Sequence, residues 1–193
     1  TVLKALAAAA DTVFAVRGNN QSGVIGGALT DSLVVKVTDR FGNAVTGSAL
    51  SWAATGGGTV SPPANTTGTT GTAATARVLG ATAGPQGATA TAAGLKGSPV
   101  VFVMTALPAA PASLVKASGD NQVGPAGSAV AESLVVRLLD ASGNGVPGRN
   151  VTFALATGGG STSPTSATTD ATGRAATAWT LGTVAGACGG AAL

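Results

Sequence analysis

The chain has 193 residues, among them 30 glycines, four phenylalanines, two tryptophans and no tyrosine, so small side chains dominate any core it builds. Charged residues make up 9%, against about a quarter in an ordinary soluble domain, and the net charge of +3 comes from ten basic residues scattered singly. That excludes the basic stripe with interleaved aromatics that nucleic acid requires; with no histidine there is no imidazole base or zinc ligand, and the single cysteine, Cys188, allows no intrachain disulfide.

The mean hydropathy is positive, yet no apolar run approaches the roughly 18 residues of a spanning helix. The longest, such as Val100–Met104, are strand-sized. Six aromatics leave nothing for the girdles of a membrane barrel, so no membrane insertion of this segment is expected. Thr1-Val-Leu-Lys also lacks the basic-then-apolar build of a signal peptide.

A duplication organises the chain. Val2-Leu-Lys-Ala-Leu6 corresponds to Val103-Met-Thr-Ala-Leu107, 101 residues later. Residues 1–6 therefore read as the closing strand of a preceding repeat or as a donor strand. Residues 11–107 form the first full unit. Thr12–Arg17, Leu33–Thr38, Ala49–Ala54, Ala73–Leu79, Ala88–Ala93 and Pro99–Thr105 are short runs of period-two alternation, separated by Gly, Asn and Pro. Leu33, Val35 and Val37 are expected to face inward, with Val34, Lys36 and Thr38 opposite; Leu50, Trp52 and Ala54 share another inward face. The linker Ala106-Leu-Pro-Ala-Ala-Pro-Ala112 has two prolines and no glycine, which makes a short, semi-rigid joint.

Residues 112–193 repeat the pattern. Gly18-Asn-Asn-Gln21 returns as Gly119-Asp-Asn-Gln122, Ser32-Leu-Val-Val-Lys36 as Ser133-Leu-Val-Val-Arg137, and Asp39-Arg-Phe-Gly-Asn43 as Asp140-Ala-Ser-Gly-Asn144. From Thr55-Gly-Gly-Gly58 and Thr157-Gly-Gly-Gly160 onward the shift is 102. Val151, Phe153 and Leu155 take the places of Leu50, Trp52 and Ala54. Leu193 corresponds to Thr91, so this unit is expected to lack its closing strand. Six or seven strands in about 100 residues fit an immunoglobulin-like sandwich, and the fold class expected is all-β, with tandem sandwiches arranged end to end.

The runs Val34–Val45 and Val135–Gly148 carry a resemblance to a known family. With their apolar strand, Asp-x-x-Gly-Asn turn and Val-x-Gly step, with the Thr-Gly-Gly-Gly stretch, and with the Thr168–Ala175 turn, they resemble the bacterial Ig-like repeats of invasin and intimin type. The resemblance covers almost the whole chain and implies rods that hold a receptor-binding tip away from an outer surface.

The candidate sites are few. Asp39 with Asn43, and Asp140 with Asn144, offer oxygens, but each turn holds one carboxylate where calcium wants six to eight oxygen ligands; they read as turns, with no metal site and no cofactor. Gly56–Gly58 has no helix behind it to make a phosphate loop and reads as a hairpin tip. No catalytic set can be assembled from the seven scattered carboxylates, so no enzyme is expected. An isopeptide bond between Lys36 and Asn43 has no counterpart, since Arg137 replaces the lysine. Phe41, in a turn where the other unit has Ser142, and Trp179, expected half-buried at a rim where the other unit has Arg77, are the candidate interaction residues. Val2, Leu3 and Leu6 are candidates for strand exchange.

Three functions follow. The first is an extracellular spacer in a surface adhesin or stalk, whose partners are neighbouring Ig-like repeats and which meets a host receptor or surface glycan through other domains. The second is a head-to-tail filament of identical subunits, in which the N-terminal strand completes the unfinished C-terminal sandwich. The third is a carbohydrate-binding accessory module using Trp179 or Phe41. The location expected is extracellular or at the bacterial cell surface.

Overall fold

The computed structural model describes residues 6–192 and, among them, every regular element is a β-strand. The chain divides into two compact units at Leu107/Pro108. In the first, β1 (Ala10–Arg17), β3 (Leu33–Asp39), β7 (Thr72–Val78) and β5 (Thr59–Ser61) form one sheet in the order β1-β3-β7-β5. The other holds β2 (Gln21–Val24), β9 (Val100–Leu107), β8 (Gly84–Thr91), β4 (Ala49–Thr55) and β6 (Ala64–Thr66), in the order β2-β9-β8-β4-β6.

Alternation along these strands places one core between the sheets. Val13, Leu33, Val35, Val37 and Ala73 come from one side; Leu50, Trp52, Ala88, Ala90, Val100, Phe102, Met104 and Ala106 come from the other. Phe102, wholly buried, tilts against Trp52 with ring centroids 6.2 Å apart. The alternation on β3 is less strict than the sequence suggests. Val34 and Thr38 are buried as well, and only Lys36 is half-buried, because β3 is flanked on both edges by β1 and β7.

The short strands β2, β5 and β6 are absent from the sequence reading; β5 and β6 are three residues each, on either side of Pro62-Pro63. Gly56–Gly58 is not a hairpin tip. It carries the chain from β4 in one sheet to β5 in the other. Beneath this crossing lies Arg77, fully buried rather than at a rim. Its guanidinium donates to the carbonyls of Thr55 (3.1 Å), Gly57 (2.7 Å) and Val78 and to Gln86 Oε1 (3.2 Å). A buried cation is held here by backbone dipoles and not by a carboxylate.

The repeated Gly-Asn-Asn-Gln motif acts as a clamp. Asn20 and Asn121 take left-handed backbone angles (φ 59° and 57°) that turn the chain. The Gln21 amide then donates to the carbonyls of Gly18 and Asp31 and accepts from the Asp31 N–H. Gln122 makes the same three bonds with Gly119 and Glu132. Gly18 has φ +90°, and a Cβ there would stand 2.4 Å from the Ser32 carbonyl oxygen, which is why the motif begins with glycine.

The second unit repeats this plan with β10 (Pro111–Ser118), β11 (Leu134–Asp140), β15 (Arg174–Leu181) and β13 (Gly160–Ser163) in one sheet. Its other sheet holds β14 (Ser166–Thr168), β12 (Asn150–Thr157) and β16 (Gly189–Ala192), in the order β14-β12-β16. Registers are preserved: Leu33 lies opposite Thr75 as Leu134 lies opposite Thr177, and Trp52 opposite Ala90 as Phe153 lies opposite Ala192.

Candidate functional site

The Asp-x-x-Gly-Asn turns close the end of each unit at which the chain comes in. Gly42, with φ +86°, lets its N–H reach the Asp39 carbonyl, so the strand reverses within four residues. The Asp39 carboxylate is saturated from within the unit. Oδ1 accepts from the backbone N–H groups of Phe41 and Asn43, both at 2.9 Å; Oδ2 accepts from the Asn43 side-chain amide at 2.9 Å and the Ala8 N–H at 2.8 Å. The Asn43 amide foremost, then these backbone donors, outweigh the effect of burial and hold the Asp39 pKa down at about 2. At Asp140 burial is the largest influence and opposes the charge, yet the bonds from Asn144, Ala109 and Ser142 together keep the pKa below the usual carboxylate value. Four donors on one carboxylate leave little room for a cation. Among the described residues no group of three or more His, Cys, Asp or Glu is placed to hold a metal ion.

Ala8 and Ala109 are thus equivalent: each lies just ahead of its unit's first strand and is pinned by that unit's turn. Nothing in an alanine announces this role, and only the 101-residue shift relates the two. Beside the first turn Phe41 is 66% exposed, with the Arg40 guanidinium carbon 4.5 Å from its ring centroid. Leu6 is also exposed, at 83%; Val2 and Leu3 lie outside the described residues.

A larger feature lies within the second unit. In the first unit β9 sits between β8, antiparallel, and β2, parallel. Among the described residues of the second unit, no strand occupies that place. Gln122–Pro125, the counterpart of β2, has no strand pairing, and Val123 is 96% exposed. The outer edge of β16 is likewise unpaired among the described residues. Between them opens a cavity of about 610 Å³, lined by Leu114, Val136, Phe153, Trp179, Leu181 and Cys188 among others. Trp179 is 8% exposed and lies inside the unit, not half-buried at a rim, and its indole N–H is buried without a hydrogen-bond partner. The sequence signalled this site only through the missing counterpart of residues 98–105; that Trp179 lines it was not foreseen.

No family model matches the chain, and no curated protein matches its sequence. Among solved structures it is similar to InvD of Yersinia pseudotuberculosis, at TM-score 0.51 and 21% identity over 94% of this chain and 51% of that one. It is also similar to the Escherichia coli adhesin FdeC, at TM-score 0.50 and 22% identity over 93% of this chain and 59% of that one. The D0–D1 domains of intimin match at TM-score 0.39 and 19% identity, over 95% and 90% of the two chains. The fold is therefore that of the bacterial Ig-like adhesin domains, all-β and in tandem. The chain spans only about half of the InvD structure and three-fifths of the FdeC structure.

Proposed function

We propose that this chain is a spacer segment of a bacterial surface adhesin, displayed outside the cell and carrying no catalysis of its own. The observation that supports the reading most directly is the path of the chain through the first unit. Residues 12–25 run alongside residues 96–107 in the same direction: Thr12 bridges Lys96, the Asn20 N–H reaches the Val103 carbonyl, and Ile25 reaches Leu107. The chain comes in at one end, where Asp39 pins Ala8, and leaves at the other, where Val24 pairs with Leu107. A pull on the two ends loads the β2–β9 hydrogen bonds along the strands, all at once rather than one after another. A segment that transmits load between a surface and a distal receptor-binding domain needs that arrangement.

Pulling single molecules by their ends tests this. The expected trace has a force peak from the first unit, releasing roughly 300 Å of chain at about 3.5 Å per residue. Extension without a force peak overturns the spacer reading. Brief protease treatment of intact cells making the full-length protein is expected to cleave this segment; complete protection overturns the surface location.

A further inference from the structure

We infer that the turn Thr169–Gly173 of the second unit, with the arginines gathered around it, binds the oxyanions of an acidic polysaccharide. The basic residues lie singly along the sequence, but the fold brings three of the four in this unit to one place. Arg137 on β11 and Arg174 at the start of β15 are directly opposed in the antiparallel register. Their neighbours Val136 and Ala175 are buried, so alternation turns both arginines to the outer face of the sheet. The Arg137 Nε–H donates to the Thr172 carbonyl at 2.9 Å, which ties its guanidinium to the turn that leads into Arg174. Arg149 meets the same turn through its backbone. Its N–H donates to Thr169 Oγ1 at 2.9 Å, and its carbonyl accepts from the Thr169 N–H at 2.8 Å. The fourth cation, Lys116, is paired with Asp120.

Like charges directly opposite on paired strands are destabilising, and among the described residues neither Arg137 nor Arg174 has an ion pair to offset this. The nearby carboxylate, Asp170, is committed to the turn. Its Oδ1 accepts from the Thr172 N–H (2.8 Å), the Thr172 hydroxyl (2.7 Å) and the Arg174 N–H (3.0 Å). The Arg174 backbone N–H foremost, then Thr172, hold its pKa below the ordinary carboxylate value, and the charge of Arg174 comes last among these influences. Three cations against one carboxylate leave the cluster positive. The first unit, in the same register, avoids the cost: Lys36 faces Thr72, and Ser48 and Gly68 stand where Arg149 and Asp170 do. The cluster therefore belongs to the second unit and not to the plan of the repeat. Guanidinium groups take carboxylate or sulfate oxygens through paired hydrogen bonds. Single-stranded nucleic acid fits less well, because its bases need aromatic faces and the second unit's Phe153 and Trp179 are both buried. An extended acidic polysaccharide presents oxyanions at intervals and needs neither stacking nor an enclosed pocket. The spacer reading supplies only the place where such a ligand is met.

Isothermal titration of the full chain tests the site with two probes: heparin, which carries sulfates and carboxylates, and polygalacturonate, which carries carboxylates alone. Saturable binding is expected, weakening as salt is added. Arg137→Ala and Arg174→Ala are each expected to weaken it about tenfold, the scale of one lost hydrogen-bonded contact to a charged group. Lys116→Ala removes the same charge elsewhere in the unit and is expected to leave binding unchanged. None of these three side chains is buried, and an unaltered unfolding midpoint checks that each variant is folded. Binding of both polysaccharides supports recognition of either oxyanion, and binding of heparin alone supports recognition of sulfate. Equal losses from Lys116→Ala and Arg174→Ala overturn the site, as does failure of both probes to bind. Oligodeoxythymidine that binds as tightly as heparin, with the same loss in Arg174→Ala, overturns polysaccharide as the ligand. The spacer reading rests on the pulling and surface-exposure measurements, which none of these titrations decides.

Discussion

The two units share a plan, registers and turns but differ in what closes them, and the difference locates the energy of the fold. In the first unit β9 delivers Val100, Phe102, Met104 and Ala106, and fifteen described residues form one buried cluster. In the second only Val136, Val151, Phe153 and Ala175 do. Leu33, Val37 and Leu79 are wholly or almost wholly buried, while their counterparts Leu134, Leu138 and Leu181 are half-exposed. At roughly 25 cal/mol per Å² of apolar surface, a half-covered row of leucines and valines forfeits much of what sandwich formation returns. Among the described residues the first unit has this closing strand and the second has none.

The units also exchange residues in pairs. Trp52 donates its indole N–H to Asn65 at 2.9 Å; the second unit has Phe153 and Ala167 in these places, both apolar. Arg77 bonds to Gln86 in the first unit, and Trp179 and Cys188 replace them in the second. The Trp52–Asn65 pair is polar on both sides and its counterpart on neither, as expected when a buried polar group without its partner is costly. The second exchange does not follow this, since the Trp179 indole N–H is buried without a partner.

The comparison can be broken most forcefully at β9. Phe102→Ala removes the largest closing side chain and is expected to cost the first unit about 3–5 kcal/mol, read by denaturant unfolding; a loss under about 1 kcal/mol would show that β9 does not seal the core. Asn65→Ala strands the Trp52 indole N–H and is expected to cost about 1–3 kcal/mol. Adding Trp52→Phe, which recreates the apolar pair of the second unit, should recover part of that loss, and strictly additive losses would argue against the pairing.

Acid gives a smaller effect. Because the folded pKa of Asp39 is held down near 2, below the unfolded value of about 3.9, the turn's contribution is fully present above pH about 4 and is lost as the pH falls toward 2. The melting temperature of the first unit should fall across that window, and Asp39→Ala should flatten the fall; an unchanged slope in the variant assigns the acid sensitivity elsewhere. Smallest of all, Phe41→Ala is expected to leave stability within about 0.5 kcal/mol, since the ring meets solvent and Arg40 and not the core.

Much of this architecture was legible in the sequence. Period-two alternation gave the main strands to within a few residues, and the 101-residue shift gave the equivalence of the units. What stayed hidden depends on residues that meet only in three dimensions. The burial of Arg77 follows from carbonyls presented by Thr55 and Gly57, about 20 residues away in sequence, and a lone arginine in a strand gives no sign of them. Gly56–Gly58 reads locally as a hairpin, and only the pairing of β5 with β7 and not β4 shows that it crosses between sheets. Trp179 looked like a rim residue because its counterpart is charged; both positions proved interior.

The central claim, that one strand makes the difference between the units, is tested most directly by native-state hydrogen exchange of the full chain, comparing Leu33–Asp39 with Leu134–Asp140. The account predicts markedly slower exchange in the first segment, each tenfold difference corresponding to about 1.4 kcal/mol. Equal protection of the two segments would contradict it.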